Sequence, residues 1–137
     1  MEPFVYVAGG AIVVGVVIAA IVIKHKKTNM RSSQLLEECF GKPMQTNELS
    51  LSEVHKWIKS REHLLTSGAK AAVLKANEDV LKSVGKKLDI GTGNDHFIIM
   101  AIIDNNQIIE STLVKYDKLD NDINDLLGDQ GIVIIES

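Results

Sequence analysis

The chain is 137 residues long, with a formal net charge of −3 and a single cysteine, Cys39, which excludes an intrachain disulfide framework and leaves room for little more than one globular unit. Its acidity gathers at the C-terminal end, where Asp117 to Glu136 holds six carboxylates against Lys118. With Trp57 as the one tryptophan, no basic face interleaved with aromatics can be drawn, so a nucleic-acid binder is not expected.

The first element in chain order is Phe4 to Ile23, twenty residues without a charge, followed by Lys24, His25, Lys26 and Lys27. As a helix such a run rises about 30 Å, the hydrocarbon thickness of a bilayer. Its Val, Ile and Phe side chains favour insertion by about 4–7 kcal/mol in total. The spacing therefore predicts a transmembrane helix. The core is longer than that of a cleaved signal peptide and is preceded by Glu2 and Pro3 rather than a basic segment, so a retained signal-anchor is expected. Lys24, Lys26 and Lys27 form a juxtamembrane basic flank that sets orientation: N-terminus outside, the rest cytoplasmic, in a single-pass cell-membrane protein. Ala11, Gly15 and Ala19 recur every four residues, the small-residue spacing that lets two helices pack closely in lipid. The partners expected from this segment are the lipid bilayer and a second copy or another membrane protein.

Two parts follow, an anchor with its flank over 1–30 and a small α/β domain over 31–137. In the second part Ser33 can cap a short helix, QLLEECF, with Gly41 at its stop. Ser50 and Glu53 have capping-box spacing, and Leu49 and Val54 are placed as a hydrophobic staple. Val54, Trp57, Ile58, Leu64 and Leu65 then give an apolar face, predicting a helix that runs to about Thr66. His55 and His63 are eight apart without ligand-type neighbours, so no metal is expected there.

Ala69 to Ala76 has the length of a strand. Asn77 caps a further predicted helix whose apolar positions are Val80, Leu81, Val84 and Leu88, with Lys86 and Lys87 at the negative end of its dipole. DIGTGND, Asp89 to Asp95, follows. Its Gly91, Gly93, Asn94 and Asp95, with His96, are the one candidate ligand or nucleotide loop. The loop leaves a helix and enters a strand, however, and lacks the third glycine and the Gly-Lys-Ser/Thr of phosphate-binding loops. A plain connection is the reading preferred.

FIIMAII, Phe97 to Ile103, is too short to span a bilayer and reads as a buried strand. Asn105-Asn106 suits a two-residue hairpin turn into a strand from Ile108 to Tyr116. Asp117 to Asp129 contains a short helix capped near Asp120, with Ile123, Leu126 and Leu127 inward and Gly128 as its stop. Its acidic start fails as a calcium loop, because Asp125 stands where glycine is needed and Gly131 where glutamate is needed. Gly131 to Glu136 is the final strand.

The expected fold is α+β: a transmembrane helix, two helices, and then a βαββαβ four-stranded sheet in ferredoxin-like order. That order makes FIIMAII and IVII edge strands, against their continuous apolarity. No catalytic, cofactor or metal constellation is evident. The function expected is a membrane-tethered cytosolic protein-interaction or assembly module; the alternative is a ligand-binding or enzymatic domain using Asp89 to Asp95.

Overall fold

The computed structural model describes residues 5–8, 37, 40–65, 69–76, 96–105, 107–128 and 131–136. Five strands and two helices come from residues 44–136: β2 (Met44–Leu49), α1 (Leu51–Lys59), a single 3-10 turn (Glu62–Leu64), β3 (Lys70–Lys75), β4 (His96–Asp104), β5 (Gln107–Leu119), α2 (Asn121–Leu127) and β6 (Ile132–Glu136). A short β1 (Val5–Ala8) precedes them and completes a mixed sheet of order β1-β6-β3-β4-β5-β2.

This corrects the ferredoxin-like expectation. β3, β4 and β5 form a consecutive antiparallel meander, with β3 paired to β4 from Lys70↔Ile103 to Lys75↔Ile98. In a split βαβ unit β3 would instead lie parallel to β4, with β5 inserted between them. The physical reason is that FIIMAII must be covered on both faces and both edges, and the meander puts it between β3 and β5. IVII gains the same protection, since β6 lies between β3 and β1.

Both faces of the sheet are filled. One carries Ala71, Val73, Ile98, Met100, Ile102, Val114, Val133 and Ile135, packed against Val54, Trp57 and Ile58 of α1 and Ile123 and Leu127 of α2. On the other, Ala72, Leu74, Phe97, Ile99, Ala101, Leu113 and Ile134 are equally buried. A strand buried on both sides reads as an unbroken apolar run rather than an alternation, which is why β4 has no polar residue between Phe97 and Ile103. Each fully buried Ile or Leu contributes about 1.5–3 kcal/mol of transfer free energy.

The predicted transmembrane helix is also corrected. Val5–Ala8 is extended and pairs antiparallel with β6, from Val5↔Glu136 to Ala8↔Val133. The uncharged run left beyond it, residues 9–23, would rise only about 22 Å as a helix, short of the roughly 30 Å of a bilayer core. No helix among the described residues is long and apolar enough to cross a membrane, so membrane, signal-anchor and single-pass descriptions have no support in the structure. Residues 9–36 lie outside the described part, and with them the basic flank on which the expected orientation and cell-membrane location rested.

Several local expectations are met. Ser50 caps α1, its hydroxyl accepting from the Glu53 amide at 3.2 Å. Asp120 caps α2 and Gly128 ends it at φ +60°. The hairpin closes through the pair Asp104↔Gln107, with Asn105 at φ +54°, a left-handed conformation that Asn tolerates. Gly41 has φ +90° and donates to the Glu37 carbonyl at 2.7 Å, as at a helix end. The helix predicted from Asn77 lies outside the described residues.

One local expectation fails, and one element was not foreseen. α1 stops at Lys59 instead of reaching Thr66. The Ser60 hydroxyl (2.7 Å) and Arg61 Nη1 (3.1 Å) both take the Trp57 carbonyl, and such side-chain donors satisfy a terminal carbonyl without a further helical turn. Met44–Leu49, to which the sequence reading assigned no element, is a strand. Its sequence, MQTNEL, carries no apolar alternation because it sits at the sheet edge with most side chains exposed.

Candidate functional site at the open edge of the sheet

The site is built where β5 outruns β2. β5 has 13 residues and β2 only 6, and β2 begins its parallel pairing at Met44↔Val114 and ends it at Leu49↔Leu119. Gln107–Leu113 therefore has β4 on one side and no described strand on the other. At about 3.3 Å per residue this notch is about 23 Å long.

Two exposed hydrophobics mark it. Among the described residues the large apolar side chains most open to solvent are Met44, 51% exposed, and Ile109, 48% exposed. Met44 closes one end of the notch, and Ile109 lies within it. The register explains Ile109: Ile102 pairs with Glu110 and Ile103 with Ile108, so Ile109 is an extra residue in a β-bulge. A bulge bends an edge strand and re-aims its side chains, which limits indiscriminate pairing.

Glu110, next to the bulge, is reached from the turn that follows α1. Arg61 Nε lies 2.6 Å from Glu110 Oε2, while its guanidinium carbon sits 4.3 Å from the centroid of the Trp57 ring. Arg61 Nη1 also donates to the Ser60 hydroxyl at 2.7 Å. The buried Nε makes no hydrogen bond, so its contact with Glu110 is an ion pair set by distance rather than a directed bond. The charge of Glu110 is thus offset by Arg61 within the chain.

At its far end the edge is polar. Gln45, Thr46, Asn47, Lys115 and Asp117 line an open recess of about 360 Å³, and Lys118 pairs with Glu48 at 3.3 Å. That pair is exposed and worth little energetically. Where β2 and β5 end together, the Asp120 carboxylate accepts from two helix starts, the Leu51 amide at 3.2 Å and the Ile123 amide at 2.9 Å. The positive ends of α1 and α2 are therefore already engaged by an internal anion.

His96 is the one member of the expected ligand loop that the structure places. It opens β4, is exposed, pairs in register with Tyr116, and stacks on it with ring centroids 5.7 Å apart and planes at 30°. Burial raises the Tyr116 phenol above its ordinary value. Gly91, Gly93, Asn94 and Asp95 lie outside the described residues, as do Ala11, Gly15, Ala19, Lys24, Lys26 and Lys27. Among the described residues no group of three His, Cys, Asp or Glu side chains could hold a metal ion.

The sequence reading missed Met44, Ile109, Arg61 and Glu110. Trp57 and Arg61 stand four apart, a spacing that brings side chains together on a helical surface; that signal was available. The bulge at Ile109 had none, since it depends on the register of two strands. No family model, curated protein or solved structure matches the chain.

Proposed function

We propose that the protein is an interaction module that takes an extended segment of a partner protein into the notch beside Gln107–Leu113, in line with β2. The observation that carries this is the placement of Met44 and Ile109, the most exposed large hydrophobics among the described residues, at the end of the notch and within it. A strand edge with no described neighbour offers main-chain donors and acceptors for strand addition, and side chains along it select the partner. The bulge restricts the register, and the neutralised Glu110 lets an apolar or uncharged segment approach. The partner chemistry that fits is an extended, largely uncharged strand with a hydrophobic residue opposite Ile109.

A photoreactive amino acid placed at Ile109 or Met44 tests the proposal in the cells from which the sequence comes. Exposed Asp122 and Asp125 on α2 serve as control positions. Crosslinks to one partner species from 109 and 44, at least several-fold above those from 122 and 125, are expected. Equal yields from all four positions would remove the edge as the contact surface.

A further inference from the structure

The opposite edge of the sheet is covered, and what covers it is visible. β6 is IVIIE, with Ile132, Val133, Ile134 and Ile135 all no more than 7% exposed. Its outer side is paired with only four residues, Val5–Ala8, in antiparallel register, and α2 approaches both strands. Without β1 this would be an apolar, unpaired edge of the kind that recruits another strand. β1 is far away in sequence. Residues 9–36 separate it from the rest of the described chain, and 28 residues can reach at most about 90–100 Å when extended. A domain of about 100 residues has a radius of gyration of only about 13 Å. The connection is therefore long enough for the strand to reach the same edge of a neighbouring copy.

We infer that the outer edge of β6 is a binding groove for an extended uncharged strand, filled here by the chain's own Val5–Ala8 and exchangeable for the Val5–Ala8 of a second copy. The ladder contacts are identical in either arrangement, so only the local concentration of the tethered strand favours its own edge. Exchange is then governed by protein concentration, and it joins two copies without any new contact. Nothing in this rests on the notch at the other edge.

Disulfide trapping in the full chain reads the pairing directly. In a Cys39→Ser background, Val7→Cys and Ile134→Cys replace partners in register, whose Cα separation of about 4.5–5.5 Å suits a disulfide. The double variant is expected to close within one chain at low concentration. An equimolar mixture of the two single variants is expected to form a covalent dimer whose yield rises with concentration. That yield should exceed several-fold the yield when Val133→Cys, which points to the other face, replaces Ile134→Cys. A mixture yielding no more than the Val133→Cys control, while the double variant closes, would overturn exchange. Failure of the double variant to close would overturn the pairing of β1 with β6.

Discussion

The backbone amide of Leu51 donates to Asp120 Oδ2 at 3.2 Å across a separation of 69 residues. The other oxygen, Oδ1, takes the Ile123 amide at 2.9 Å, and the Asp120 amide donates to the Leu49 carbonyl at 3.0 Å. One side chain thus caps the helix that follows it and the helix that follows the neighbouring parallel strand.

Removing that carboxylate should therefore cost more than removing an ordinary cap. A single N-cap contributes about 0.5–2 kcal/mol. Ser50→Ala is expected to fall in that range, and Asp120→Ala to exceed it by about 1 kcal/mol in urea unfolding. Asp120→Asn, which keeps one acceptor oxygen, should lie between them. An Asp120→Ala loss no larger than that of Ser50→Ala would show that the contact to Leu51 contributes nothing.

Arg61 has two partners of different physics. The Trp57 face, 4.3 Å from the guanidinium carbon, should give a coupling of about 0.5–1 kcal/mol that persists in salt. The Glu110 pair has side chains 28% and 41% exposed, and should give about 0.2–1 kcal/mol that declines as ionic strength rises. Double-mutant cycles for Arg61/Trp57 and Arg61/Glu110 at low salt and about 0.5 M salt separate the two. A Glu110 coupling unchanged by salt would contradict this division.

Tyr116 has its phenol pKa raised above 10.0 by burial. The neutral form is therefore favoured in the folded state, and its contribution to stability is complete below pH 10. It declines as pH climbs from there through the folded value, because the unfolded chain ionises first. Ultraviolet titration should show a late tyrosinate component that Tyr116→Phe removes. A Tyr116-dependent transition centred at or below 10 would refute it.

Asn105 occupies φ +54° in the two-residue hairpin loop. Asn105→Gly should leave the melting temperature unchanged or slightly raised. Asn105→Val should lower stability by about 1–2 kcal/mol, since a β-branched side chain is strained in the left-handed region. Equal stability of the two variants would mean that the loop relaxes into another turn type.

Elements governed by neighbours in sequence were legible without coordinates. Ser50 with Glu53, Asp120 with Gly128, and Asn105 at the hairpin each depend on contacts within a few residues. Strand order depends on which long runs must be enclosed, and there the continuous apolarity of Phe97–Ile103 was the informative signal. It conflicts with an edge position and is satisfied in the centre. The run from Phe4 was misread because Val and Ile suit a membrane helix and a β-strand alike, so composition alone does not choose between them. The notch was invisible because MQTNEL has no strand pattern, and the bulge beside it arises only when β4 and β5 are brought into register.

The sheet order has a consequence for synthesis. Residues 5–8 pair with residues 133–136, which leave the ribosome more than 120 residues later. At about 5–20 residues per second that delay is about 6–25 s. Throughout it Val5–Ala8 waits without the strand it will pair with, open to whichever chaperone meets it first.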